Sequence, residues 1–243
     1  MNRGGGRPLR IAHAFGNRRH AIEAAIAADV DCIEADLWFR GGEIWVRHER
    51  RLGFLPLLYD RKPRGMNSFG PWSLTVFPNY YIRLDVSPLR LPELLEAAGG
   101  KRRLLLDLKD NHARDRARAY AGALSRVLRE AGCAESALVC GQTDVLDSVR
   151  EVAPGLDVRY SIERQRQWEA FLRRLDADPA IRGVCLHHEF LTEPVTRLLE
   201  ERGLEVFCWT VDDRGEARRL AALGVDGIIS NDLRLLAQLR RSG

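Results

Sequence analysis

Short apolar runs alternate along this chain with longer stretches in which apolar residues recur every third or fourth position. The short runs are Leu9–His13, Asp31–Trp38, Leu104–Lys109, Ala137–Gly141, Asp157–Ser161, Gly183–His187, Glu205–Thr210 and Gly227–Ser230. The longer stretches are Arg18–Ala28, Leu91–Ala98, Ala113–Ala131, Thr143–Val152, Gln165–Leu175, Glu193–Arg202, Arg214–Leu223 and Asp232–Leu239. The first set predicts strands and the second amphipathic helices. Strands that alternate with helices predict a parallel sheet with right-handed crossovers. Eight such units predict closure into a (β/α)8 TIM barrel rather than an open, doubly wound sheet. Gly132, Gly203 and Gly224 stand where helix C-terminal caps are expected. No linker divides the chain, so it reads as a single domain over residues 1–243.

One stretch departs from the rhythm. Gly41–Gly42 predicts a tight turn into Glu43–His48, a hairpin extension of the second strand. Residues 50–90 then lose periodicity and become rich in Pro, Gly and aromatics. They read as an insertion after the second strand, lying over the barrel mouth. Its apolar residues are Leu52, Phe54, Leu55, Leu57, Leu58, Trp72, Phe77, Tyr80 and Tyr81, beside Arg51, Arg61, Lys62 and Arg64. The expectation is a lid that is mostly packed on the rim and partly functional. Membrane contact is the less favoured alternative.

Composition narrows the picture. The chain has 243 residues, 45% of them apolar, enough for one barrel core. A net charge of +4 does not call for a nucleic acid, and it suits a small anionic substrate. The five cysteines, Cys32, Cys133, Cys140, Cys185 and Cys208, include no CxxC pair, which argues against zinc and for reduced thiols. The segment Met1–Arg10 has no apolar core of a signal peptide, and no apolar run reaches membrane-spanning length. The expected location is cytoplasmic.

In such a barrel the chemistry lies at the C-terminal ends of the strands. His13 ends the first strand, and Glu34 and Asp36 share one face of the second. His48 ends the hairpin, and Asp107 and Lys109 share a face of the third strand. Three carboxylates converging in a barrel need either partners such as Lys109 or a cation, and an all-oxygen set favours Mg²⁺ or Ca²⁺. His13 and His48 can act as general base and general acid on a phosphate held there, because imidazole titrates near neutrality. His187 and His188 end the sixth strand and shape the pocket in one reading. Trp209 is a pocket wall or a core residue. Asn231 is a substrate contact or a strand-end turn residue. His20 and His112 fall on helix or loop positions.

These residues also carry a resemblance. Ile-Ala-His13, Ile-Glu34-Ala-Asp36-Leu, Val-Arg-His48-Glu and Leu106-Asp107-Leu-Lys109 resemble the glycerophosphodiester phosphodiesterase superfamily. So do Trp209-Thr-Val-Asp212 and Gly224-Val-Asp-Gly-Ile-Ile-Ser-Asn231. The family's His-Arg-Gly and Pro-Glu-Asn-Thr are replaced here by His13-Ala-Phe-Gly-Asn17-Arg-Arg19, and Glu49 stands where Asp usually follows the second His. Some features are similar to phospholipase D toxins of the sphingomyelinase D type. Their cysteine loop is missing, since no Cys lies between Cys32 and Cys133. The resemblance implies Glu34, Asp36 and Asp107 as ligands of a divalent metal. It implies Lys109 as positive charge beside the phosphate and His13 and His48 as catalytic residues. The substrate it implies is a small glycerophosphodiester or lysophospholipid. A cyclic phosphate formed by internal attack, as in the toxins, and a non-catalytic barrel that binds phosphate esters are the alternatives.

Overall fold

A computed structural model of the chain describes residues 7–52, 55, 57–61, 73–76, 80–84, 89–109 and 114–239. Its centre is a closed barrel of eight parallel strands: Leu9–Ala12, Cys32–Arg40, Arg103–Leu108, Ala137–Gly141, Asp157–Ile162, Gly183–His187, Glu205–Trp209 and Gly227–Ser230. Each pairs with the next. Closure comes from the first strand, where Ile11 lies opposite both Ile229 and Cys32. Helices Arg19–Ala27, Leu91–Ala98, Arg114–Glu130, Thr143–Val152, Gln165–Ala177, Glu193–Glu201, Arg214–Ala222 and Leu233–Gln238 surround it. The chain therefore forms the (β/α)8 barrel that the alternating pattern predicts.

Strand alternation divides the core in two. Ile11, Cys32, Leu105, Leu138, Cys140, Cys185, Phe207 and Ile229 pack inside the barrel. Residues between them along the strands, such as Ile33, Leu104, Leu106, Val139, Val184 and Ile228, pack outward under the helices. Gly132, Gly203 and Gly224 have φ of 66°, 69° and 76°, the left-handed conformation of a helix C-terminal cap. The bottom of the barrel holds a buried cation. Arg159 stacks 4.8 Å over Phe207, pairs with Asp157 at 2.5 Å and also contacts Glu205. That plug leaves the opposite, C-terminal end open for a pocket.

The hairpin forms as expected, with Glu43–Val46 antiparallel to the second strand and Leu37 opposite Val46. The described residues of the insertion carry more regular structure than their sequence indicates. Arg50–Arg51, Leu57–Arg61, Ser73–Thr75 and Tyr80–Leu84 form a four-stranded antiparallel sheet, and Leu89–Arg90 extends the hairpin. Its strands are only two to five residues long, too short for a clean two-residue period to mark them. Phe54, Lys62, Arg64, Trp72 and Phe77 lie outside the described residues, as does His112. Among the described residues no helix is long and apolar enough to cross a membrane.

Candidate active site

A cavity of about 400 Å³ opens at the C-terminal end of the strands. His13, Glu34, His48, Asp107, Lys109 and Trp209 line it, together with Trp38, Arg50 and Asp60. Asp36 is fully buried just beneath. Asn231 and His187 are not among the lining residues. Asn231 stands behind His13, and His187 stands behind Trp209.

The second and third strands bring the acids together, because Asp36 and Asp107 are register partners across them. One oxygen from each of Glu34, Asp36 and Asp107 lies within 4.8 Å of the others. Lys109 is the cation they share: its Nζ is 2.8 Å from Asp36 Oδ1 and also contacts Asp107. Burial and the neighbouring Asp36 raise the Glu34 carboxyl well above the carboxylate range. Asp36 is also buried, yet Lys109, His48 and His13 hold it down to about 2. Burial depresses the Lys109 ammonium, but Asp107, Asp36 and Glu34 outweigh that and keep it firmly charged.

The turn after the first strand buttresses this cluster. Ala14 takes a left-handed φ of 59° and donates its N–H to Glu34 Oε2 at 2.5 Å. Asn17 donates to Asp36 Oδ2 at 2.6 Å and accepts from the Asp36 N–H at 2.9 Å. Gly16 permits the approach: a Cβ there would meet the Cβ of Ala35 at 2.5 Å. Ala14 and Asn17 occupy the segment that departs from the resembled motif, which is why pattern reading passes over them.

The two histidines have different partners. His13 Nδ1 is 2.9 Å from Asn231 Oδ1. The Asn231 amide nitrogen donates to Asp212 Oδ2 at 2.8 Å, so its oxygen must be the acceptor facing His13. That arrangement places the His13 proton on Nδ1 and leaves the Nε2 lone pair free. Burial, the largest effect, keeps the His13 pKa below its ordinary 6.5. His48 Nδ1 lies 2.5 Å from Asp60 Oδ2. Burial also pulls on His48, but the Asp60 hydrogen bond and the charge of Asp36 win, and its pKa rises above 6.5. Asp60 comes from the insertion, and sequence reasoning has no signal for it. Arg50, also from the insertion, lines the cavity with its guanidinium 5.9 Å over Trp38.

His187 meets Trp209 edge to face, with centroids 5.2 Å apart. His188 binds Glu216 at 3.0 Å, away from the lining set. The five cysteines are free thiols, and Cys140 and Cys185 form part of the pocket floor.

Comparison with known proteins follows the same lines. The model of the glycerophosphoryl diester phosphodiesterase family matches residues 74–235, well over half of the chain. The match spans the third to eighth strands and leaves His13, Glu34, Asp36 and His48 outside it. A glycerophosphodiester phosphodiesterase from Arabidopsis thaliana, GDPD4, is 29% identical over 247 residues, covering 93% of this chain and 71% of the relative. Two solved structures share the fold. One is an Oleispira antarctica phosphodiesterase in complex with the product sn-glycerol-3-phosphate, with TM-score 0.70, 16% identity, and 97% and 98% of the two chains covered. The other is a glycerophosphodiester phosphodiesterase from Thermotoga maritima, with TM-score 0.68, 17% identity, and 97% and 99% covered.

Proposed function

The chain belongs to the glycerophosphoryl diester phosphodiesterase family, and from that membership we propose that it hydrolyses small glycerophosphodiesters or lysophospholipids with the aid of a divalent cation. The observation that carries this reading is the composition of the cavity. Three carboxylates and one lysine stand between two histidines whose surroundings shift them in opposite directions, burial lowering His13 and the Asp60 hydrogen bond raising His48.

The donor set fits a hard cation. With all three carboxylates ionised, Lys109 neutralises only one of them, and buried carboxylates without a partner are costly. Glu34, Asp36 and Asp107 would hold the ion, and an all-oxygen set favours Mg²⁺ or Ca²⁺. Bound there, the ion supplies Lewis-acid polarisation of the phosphoryl oxygens. Lys109, and Arg50 from the insertion, contact the non-bridging oxygens and stabilise the charge that grows on them. His13 takes the proton of the attacking water or substrate hydroxyl at Nε2, while Asn231 and Asp212 hold its ring. His48 gives its proton to the leaving alkoxide, kept charged by Asp60. With water as nucleophile the diester becomes a monoester and an alcohol. With a substrate hydroxyl it becomes a cyclic phosphate and an alcohol.

The test is hydrolysis of glycerophosphocholine with added Mg²⁺, Ca²⁺ or Mn²⁺, before and after EDTA, with products read by phosphorus NMR. A monoester or cyclic-phosphate resonance that EDTA abolishes is the expected result. Cation binding without turnover of any diester would leave a phosphate-ester-binding barrel instead.

A further inference from the structure

The register of the insertion sheet assigns its side chains to two faces, because residues opposite each other across an antiparallel ladder share a face. Leu58 pairs with Arg83, and Asp60 with Tyr81. These four face the barrel mouth. Leu58 and Tyr81 are buried, Asp60 contacts His48, and Arg83 and the Tyr81 hydroxyl both reach Glu49. Tyr59 pairs with Ile82, and Ile82 with Leu74, so these three occupy the other face. Leu57 and Tyr80 alternate onto it as well. The Leu52 N–H extends the ladder to the Leu57 carbonyl at 2.8 Å, which brings Leu52 alongside.

The polarity of this sheet is the reverse of what water selects. An antiparallel sheet with one wet face normally keeps polar residues there and apolar ones inside. Here the inner face holds Asp60 and Arg83, and the outer face carries Leu, Ile and Tyr. Leu74 is 70% exposed, and Leu52, Leu55 and Tyr80 are exposed too. Among the described residues the other exposed large apolar side chain is Val152, at the end of the fourth helix, so such exposure is concentrated on the insertion. Apolar side chains gathered on one exposed surface mark a contact site. The turn that bears Leu52 and Leu55 is also held in shape. The Leu55 N–H donates to the Leu52 carbonyl at 3.1 Å, and Arg51 Nε donates to the Leu55 carbonyl at 2.9 Å.

Charge selects the partner. Residues 50–90 contain seven Arg and Lys against two Asp, a net +5 in a chain of +4, so the rest of the chain carries −1. The positive character of the protein therefore lies in the segment with the apolar outer face. A second copy of the chain would bring the same charge to meet it. An anionic lipid surface offers the opposite charge, and an interface in which leucine and tyrosine side chains leave water.

We propose that the outer face of the insertion sheet, with the cationic residues of the same segment, docks the protein on an anionic lipid surface. This reverses the preference read from the sequence, where the two faces of the insertion cannot be told apart. The docking face and the side chains that reach the cavity lie on opposite sides of one sheet, so docking is independent of the reaction in the cavity.

The test is co-sedimentation of the full chain with vesicles of phosphatidylglycerol and phosphatidylcholine, and with vesicles of phosphatidylcholine alone. Wild type is expected to bind the anionic vesicles and to come off as salt rises from about 0.1 M to about 1 M, where the screening length falls from roughly 10 Å to roughly 3 Å. Leu74→Ser and Leu52→Ser should each lower the partition coefficient roughly tenfold, the scale of one leucine leaving water. Val152→Ser should leave it unchanged, and all three variants should melt with wild type because the replaced side chains are exposed. Absence of binding to anionic vesicles at low salt, equal binding to both kinds of vesicle, or wild-type binding by both leucine variants would overturn the proposal. So would a dimer in sedimentation equilibrium that Leu74→Ser dissolves, without vesicle binding, since the face would then belong to a second copy.

Discussion

His13 and His48 show how neighbours assign roles to identical side chains. His13 is half-buried beside a neutral amide, and the desolvation outweighs the Asn231 hydrogen bond, so its pKa falls and it can accept a proton near neutrality. His48 is held by the Asp60 carboxylate and stays protonated to higher pH. A cation beside Asp36 would cancel that residue's part in raising His48, which leaves Asp60 as the lasting cause. The expected kcat/KM profile is a bell, its acid limb set by His13 below 6.5 and its basic limb by His48 above 6.5. Asp60→Asn removes the charge that favours imidazolium, so the basic limb should move to lower pH and activity at pH 8 should fall more than at pH 6. A basic limb that stays in place in this variant would take the acid role from His48. His13→Ala and His48→Ala should each cost about 10²–10⁴-fold in kcat while leaving the circular dichroism spectrum intact. At this scale the sequence shows the reacting groups and hides their holders. His13, Glu34, Asp36, Asp107 and Lys109 announce themselves by ending apolar runs. Asp60 lies twelve positions beyond His48 on a strand without periodicity, and Asp212 reaches His13 only through Asn231. Both contacts are tertiary.

The elements divide by how much of their stability is local. Barrel strands are legible because each is a short apolar run that must be buried on both faces, and the helices because one face of each packs on the barrel. The insertion sheet is stabilised differently, by polar contacts to the barrel mouth. Glu49 is buried, pairs with Arg83 at 3.0 Å and accepts from the Tyr81 hydroxyl at 3.2 Å. Arg18, at the start of the first helix, adds a weaker contact at 3.8 Å. Tyr81 is the register partner of Asp60, so Glu49 anchors the strand beside the one that orients His48. Glu49→Ala leaves Arg83 without its carboxylate and should loosen this sheet by on the order of 2–3 kcal/mol, below the fully buried range because Arg83 is partly exposed. The expected result is faster proteolysis within residues 50–90, little change in barrel melting, and a basic limb displaced in the same direction as in Asp60→Asn. A variant that melts as a whole at much lower temperature would show that the insertion and barrel unfold as one unit.

At the scale of the whole molecule, the cation-free barrel is opposed by its own acidic cluster. The Glu34 carboxyl is raised well above 4.5 in the folded chain. A raised folded pKa favours folding below the unfolded pKa, and that contribution is lost as pH rises through the folded value. Near neutrality and above, the folded chain therefore bears the cost of ionising Glu34 beside Asp36 and Asp107, or of keeping it protonated. A divalent ion removes that cost, and it needs ionised ligands, so its binding should release protons and strengthen with pH. At about 100 times its Kd the ion contributes roughly 2.7 kcal/mol to stability. For a chain of this length that corresponds to a rise in Tm of about 5–10 °C. Melting curves with Mg²⁺, Ca²⁺ or EDTA at pH 5, 7 and 8 measure it, and the rise should be largest at pH 8 and smallest at pH 5. Asp107→Asn keeps the shape of the side chain, removes one ligand charge and relieves part of the repulsion. It should melt higher than wild type in EDTA and gain less from the ion, so the two curves cross as the ion is added. Parallel curves, with the same gain in both proteins at every pH, would place the ion elsewhere and leave Lys109 as the sole counter-charge of the cluster.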